Sequence, residues 1–194
     1  MAGVIMDEAK RESLSSNQDS LKIYRDKRNF EITSEPQPSG EAGSPRQIFI
    51  IQKHSSRRLH YDLRLEVDGV LKSFAVPKGP SMNPRDKRLA IQTEDHPLEY
   101  ASFQGSIPEG EYGAGTVEIW DRGRYVNISR KDGKEISLAQ ALQEGHAAFW
   151  LEGERLSGGF SLIQTKRGWL LVKMKDEKAD SESDILKEEA GQAH

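Results

Sequence analysis

LHYDLRLEVDGVLKSFAV, residues 59–76, alternates through its first half: Tyr61, Leu63, Leu65 and Val67 fall on one side of an extended chain, His60, Asp62, Arg64 and Glu66 on the other. Asp68-Gly69 follows, then a second β-rich run, VLKSFAV; an Asp-Gly pair between two such runs predicts a tight hairpin. Working outward, IFIIQ (48–52) and RLAIQTE (88–94) read as strands. GTVEIW (115–120) and RYVNIS (124–129) read as two strands flanking a turn at Asp121-Arg122-Gly123. Ser137 is placed to cap a short helix in SLAQALQEG. AAFWLEG, FSLIQTK and GWLLVKM close the pattern, the last two joined at Arg167-Gly168. Roughly eight short strands with little helix predict a mainly β fold, an antiparallel barrel or sandwich with one or two short flanking helices.

Upstream, LKIYRDKRNF (21–30) predicts a short helix or ordered arm, and the Pro-, Gly- and Ser-rich 33–46 an extended loop. The organisation expected is a flexible 1–20, one domain over 21–175 and a flexible acidic tail over 176–194. Among 194 residues there is no cysteine, so disulfides and thiolate metal sites are excluded and any metal needs His, carboxylate or water as ligand. The N-terminus lacks a secretory pattern, and no apolar stretch approaches membrane-spanning length; a soluble cytoplasmic protein is the expectation. The net charge of −3 hides an uneven distribution. Arg46 to Thr93 holds ten Lys/Arg against four acids, whereas Lys175 to His194 holds seven acids against three lysines. The middle of the chain is suited to face phosphate, and the tail to repel it.

The chemistry concentrates in QKHSSRRLHYDLRLE, residues 52–66. His60 and Asp62 project from one strand face, roughly 7 Å apart along the chain. If the polar SSRR turn folds 48–53 beside 59–67, His54 joins that face, and two imidazoles with one carboxylate make a ligand set with open positions. Arg64 continues the face as a cation suited to phosphate oxygens. The competing reading is the wet side of an amphipathic hairpin. Lys78 sits in a stiff AVPKGP loop. Arg88, Ala90, Gln92 and Glu94 share a face of their predicted strand; His96 and Tyr100 follow it, where a histidine serves as acid, base or phosphate donor. GSIPEGEYGAG (105–115) lacks the Lys-Ser/Thr ending of a P-loop and reads as tight turns.

Taken together, QKH, LHYDLRLE, PKGP, EDHP and YGAG followed by WD closely resemble the 3′-phosphoesterase domain of bacterial DNA ligase D and its free-standing relatives, from about Tyr24 to Lys175. The resemblance implies a small closed β-barrel that binds manganese and processes DNA primer–template 3′ ends in end joining, removing a 3′-terminal ribonucleoside and then the 3′-phosphate. It implies metal ligands at His54, His60 and Asp62, reaction positions at Arg64, His96 and Tyr100, and supporting positions at Gln52, Ser73, Lys78, Arg88 and Glu94. Arg28 and Glu35 match positions in the family's N-terminal arm, whereas Asn29 stands where the family has an acid. Since 194 residues leave no room for a ligase or polymerase domain, the partners expected are separate ligase, polymerase and Ku-type end-binding proteins. The alternatives are a metal phosphodiesterase acting on other nucleic-acid ends or nucleotides, and a non-catalytic DNA-end-binding module.

Overall fold

The computed structural model describes residues 19–39 and 46–187. Residues 1–18 of the expected flexible N-terminal segment, residues 40–45 of the upstream loop and residues 188–194 of the expected tail lie outside these. The alternating run forms β2 (Leu59–Val67), hairpinned to β3 (Val70–Val76). The turn works because Asp68 and Gly69 both take positive φ, 51° and 84°. On its other side β2 pairs with β1 (Ile48–Ser55), in a register that sets His54 directly opposite His60. Then follow β4 (Lys87–Gln92), a 3₁₀ turn at Leu98–Ser102, β5 (Gly105–Ile107), β6 (Gly115–Asn127), β9 (His146–Gly153), β10 (Ser157–Thr165) and β11 (Gly168–Lys173). A two-stranded hairpin, β7 (Arg130–Lys131) and β8 (Lys134–Glu135), lies between β6 and β9. The helices are α1 (Lys22–Asp26) and α2 (Leu138–Gln143), the second capped as expected by Ser137 accepting from the Gln140 amide.

Eight strands close an antiparallel barrel in the order β1-β2-β3-β4-β11-β10-β9-β6, with β6 returning to β1 and β5 added to the edge of β6. Closure decides for the barrel over the sandwich, and it leaves no unpaired edge in the ring. The expected turn at residues 121–123 is overturned: β6 runs through it as one strand, pairing with β1 and then with β9. Gly123 is there for close approach. A Cβ on it would lie 2.0 Å from the Glu152 carbonyl oxygen on β9. The Asp121 carboxylate, buried in the strand, accepts the backbone amides of Arg122, Glu154, Arg155 and Leu156 and ties down the β9–β10 turn.

Two apolar cores follow from the alternation. Tyr61, Leu63 and Leu65 of β2 join Phe49, Ile51, Phe74, Trp120, Phe149 and Phe160 inside the barrel. Outside it, Leu21 and Tyr24 of the arm pack with Ile50, Leu71, Tyr100, Phe103 and Ile107. This second core clamps the arm and the 96–107 segment onto the outer face of β1–β3. The stretch 176–187, expected as solvated tail, is docked at several points. Asp176 pairs with the fully buried Lys173 at 2.6 Å and accepts the Gly159 amide, the Asp180 amide donates to Met82, and Ile185 and Leu186 pack against the barrel core. The two apolar residues of this acidic segment add burial to the ion pair and hydrogen bonds that hold it there.

Candidate metal centre and phosphate pocket

Because the barrel interior is filled with hydrocarbon, the polar side of β1 and β2 faces outward, into the space beneath the arm. There a cavity of about 270 Å³ is lined by residues of four segments: the arm (Arg28, Glu35), β1–β2 (His54, His60, Asp62, Arg64), the 93–100 stretch (Glu94, His96, Tyr100) and the glycine-rich loop (Tyr112, Gly113). Nine of the thirteen residues singled out from the sequence line it.

The ligand atoms of His54, His60 and Asp62 all lie within 4.8 Å of one another. Their orientation is imposed from behind. His54 Nε2 lies 2.8 Å from the Gly113 carbonyl and His60 Nδ1 3.0 Å from the Arg58 carbonyl. A carbonyl only accepts, so each of these nitrogens carries the proton, and the lone pairs left are on His54 Nδ1 and His60 Nε2. Those lone pairs face Asp62, 3.6 Å from Oδ2 and 3.7 Å from Oδ1. Two lone pairs and a carboxylate directed at one another repel unless a cation lies among them, and the backing carbonyls supply the outer hydrogen bonds that metal-binding histidines ordinarily have. The donor set, two imidazoles and a carboxylate with one side open, fits a divalent transition ion. Burial alone would raise the Asp62 carboxyl, but the neighbouring Arg64 guanidinium opposes it, and the carboxyl lies below its usual range.

Arg64 is held in place by three bonds: Nε donates to Gln52 (2.7 Å), Nη1 to Ser73 (2.9 Å) and Nη2 to Asp62 (3.3 Å), and the guanidinium lies 4.6 Å from the centre of the Tyr100 ring. Of its five N–H groups, two are left for a ligand. Gln52 and Ser73 do not line the cavity; they act from behind it. Gln52 spans Arg64 and the carbonyls of Tyr100 and Phe103.

Arg28 enters from the arm. It donates to Glu35 (2.9 Å), Glu94 (3.1 Å) and the Tyr24 carbonyl (3.1 Å), stacks 3.8 Å over the Tyr24 ring, and brings Nη2 to 3.3 Å from His96 Nε2. Glu35 also accepts the Tyr100 and Thr33 hydroxyls. His96 Nδ1 sits 2.9 Å from the Glu94 carbonyl, so that nitrogen bears the proton and Nε2 is the acceptor for Arg28. Burial first, then Arg64 and Arg28, push the His96 imidazole well below the ordinary histidine range. Burial likewise raises the Tyr100 hydroxyl, which stays neutral. Asn29 is exposed; its side chain accepts the Glu31 amide, a local turn bond that an aspartate would make equally well.

Lys78 and Arg88 are not brought to this cavity. The Lys78 side chain is exposed, and Arg88 bonds to Asp86 and to the Lys78 carbonyl, with Nε buried and unbonded. On β4 the Arg88 position pairs with Leu171 beside Ala90, on the barrel-interior side, whereas the strand ends at Gln92 and lets Glu94 turn to the outside. Residues not anticipated are Tyr112 and Gly113 at the cavity wall, and Lys27, which pairs with Glu94 at 3.1 Å. The adjacent Lys27-Arg28 pair and the YGAG motif were the available signals.

Among the described residues no helix is long and apolar enough to cross a membrane. Comparison with known proteins meets this geometry with a matching family. A family model described as the DNA ligase D 3′-phosphoesterase domain matches residues 52–164, which include all three candidate metal ligands. The chain is 51% identical over 181 residues to the multifunctional non-homologous end joining protein LigD of Pseudomonas aeruginosa, covering 87% of this chain and 20% of that protein. It is 47% identical over 163 residues to LigD of Mycolicibacterium smegmatis, covering 82% and 21%, and 45% identical over 162 residues to LigD of Mycobacterium tuberculosis, covering 82% and 20%. The chain thus spans about a fifth of the length of these relatives. With the family model covering more than half of the sequence, and identities of 45–51% over 82–87% of it, the chain belongs to the DNA ligase D 3′-phosphoesterase family.

Proposed function

We propose that this chain is a manganese-dependent hydrolase that trims blocked 3′ ends of primer–template DNA for end joining, in the cytoplasm, alongside ligase, polymerase and Ku-type end-binding proteins. It removes a 3′-terminal ribonucleoside to leave a 3′-phosphate, and then removes that phosphate to leave a 3′-hydroxyl. The observation that carries this is the convergence of His54 Nδ1, His60 Nε2 and Asp62 beside two buried arginines.

Charge decides what the cavity can hold. Arg28 and Arg64 contribute +2 and Glu35, Asp62 and Glu94 −3, so the protein alone presents −1 to a phosphate. A divalent ion reverses that sign, which ties phosphate binding to ion binding. When bound by His54, His60 and Asp62, the ion supplies Lewis-acid polarisation of a phosphate oxygen. The two free N–H groups of Arg64 hold the other non-bridging oxygen of the diester, and the remaining Arg28 N–H meets the third, which exists only once the 3′-phosphate has been formed. Glu35 and Glu94 keep Arg28 aimed, and Tyr100 holds Glu35. His96 enters neutral, with its Nε2 lone pair accepting from Arg28 Nη2. The negative charge of a bound phosphate offsets the two arginines and favours a proton at Nε2; water attacks phosphorus and gives up a proton to solvent, the P–O bond to the departing oxygen breaks, and the imidazolium protonates that oxygen.

The test is turnover of a primer–template bearing one 3′-terminal ribonucleotide, with manganese. Wild-type protein is expected to yield the 3′-phosphate and then the 3′-hydroxyl, and His60→Ala neither. Retained turnover in His60→Ala would refute the metal assignment, and an inactive wild type the proposed reaction.

A further inference from the structure

Beside the cavity lies a second, larger hollow of about 1050 Å³, bounded by the turn after β1 and the 106–116 loop. It shares Ser56, Ile107, Tyr112 and Gly113 with the cavity, so the two adjoin. The small cavity matches the scissile phosphate. What is esterified to that phosphate has to lie outside it: the primer strand on one side, the 3′-terminal nucleoside on the other.

The hollow is built for an uncharged occupant. Its one cation, Arg57, is outnumbered by Glu109 and Glu111, so its formal charge is −1. A nucleoside is neutral, whereas a continuing strand brings a phosphate with every residue. At the boundary stands Tyr112, 48% exposed, an aromatic side chain left largely uncovered at a cavity mouth. It is braced from the arm by Lys27, whose Nζ lies 4.3 Å from the ring centre and 3.1 Å from the hydroxyl. An aromatic held in place next to the scissile position is a platform for a base of any identity.

We propose that this hollow seats the 3′-terminal nucleoside, with Tyr112 stacked on its base, and that Glu109 and Glu111 turn away a further phosphate, so that cleavage releases one nucleoside at a time. This rests on the phosphoesterase reading above and adds to it a residue for substrate recognition and a reason for end specificity.

Two substrates separate the roles: a primer–template ending in one ribonucleotide, which fills the hollow, and the same primer ending in a 3′-phosphate, which leaves it empty. With manganese, Tyr112→Ala is expected to lower the ratio of kcat/KM for nucleoside release to kcat/KM for phosphate release by roughly tenfold or more, the size of a lost base stack, and Tyr112→Phe to keep the ratio. The Glu109→Gln/Glu111→Gln double variant is expected to release dinucleotide from a primer ending in two ribonucleotides, where wild type releases only the nucleoside. An unchanged ratio in Tyr112→Ala overturns the stacking role, and so does an equal fall of both reactions, which marks Tyr112 as a support of the cavity. If Tyr112→Ala does not fold, the double variant decides, and product confined to the nucleoside overturns the seat. A wild type inactive on both substrates is a different result, since it sinks the phosphoesterase reading itself.

Discussion

Gln52 is fully buried, and its amide links Arg64 Nε to the backbone carbonyls of Tyr100 and Phe103. Gln52→Leu keeps the volume and takes away the partner of Arg64 Nε and of the Phe103 carbonyl, each costing about 1–3 kcal/mol, while the Tyr100 carbonyl keeps the Phe103 amide. We expect a loss of roughly 2 kcal/mol or more in a urea melt, a lower kcat as Arg64 loses its aim, and little change in manganese affinity by calorimetry, because no ion ligand is touched. His54→Ala and His60→Ala reverse that pattern, abolishing manganese binding in the same titration. His96 sets the acid limb of stability. The unfolded chain takes a proton at this imidazole near pH 6.5 and the folded protein only well below it, so between those values the unfolded state binds more protons and stability falls with falling pH. Asp62 and Glu94 are held below their usual ranges, so the stability they add is present above about pH 4 and is lost as pH falls through their folded values. An NMR titration should find His96 still neutral at pH 6, where an exposed histidine is largely protonated; a His96 that titrates normally would remove this account.

At the level of elements, the arm is joined to the barrel by a small second core and by a few buried ion pairs. Tyr24 is fully buried there against His96 and Tyr100, and its hydroxyl donates to Pro36. Tyr24→Ala should cost about 3–5 kcal/mol, as large aromatic truncations do, but locally: amides of 21–36 lose hydrogen-exchange protection while those of β9–β11 keep it. Global loss of protection would contradict the division into two cores. The sequence made β2 and its hairpin legible because period-2 alternation and an Asp-Gly turn are local signals, and the same alternation put His60, Asp62 and Arg64 on one face. β6 was not legible. Gly123 reads as a turn residue, but its role is the approach of the β9 backbone, a tertiary fact. The grouping of Arg88 with Glu94 failed for a related reason, since it assumed that the strand continues to 94, whereas β4 ends at Gln92 and the chain crosses to the outer face. Arg28 and Glu35 were reachable only through the family resemblance, since nothing in residues 21–36 alone announces that they fold over the site.

Over the whole molecule, a net charge of −3 has to coexist with the DNA binding proposed above. The acid excess lies mostly toward the C-terminus, where Asp176 is neutralised by Lys173 and Ile185 and Leu186 dock on the barrel core. The turn beside the cavity carries Arg57 and Arg58, both exposed. Arg58 has two separable functions: its carbonyl fixes the proton on His60 Nδ1, and its side chain is free to meet phosphate. Substituting both arginines by alanine removes the side chains and keeps the carbonyl. The double variant should therefore bind manganese normally and bind primer–template less tightly. The slope of log K against log salt should also become shallower by about one, for the phosphate that no longer meets Arg58. Fluorescence anisotropy across a salt series measures that slope, and an unchanged slope would place the DNA path elsewhere on the surface. If manganese affinity fell as well, the β1–β2 turn would depend on these side chains for its shape, and the separation of backbone and side-chain roles at Arg58 would be wrong.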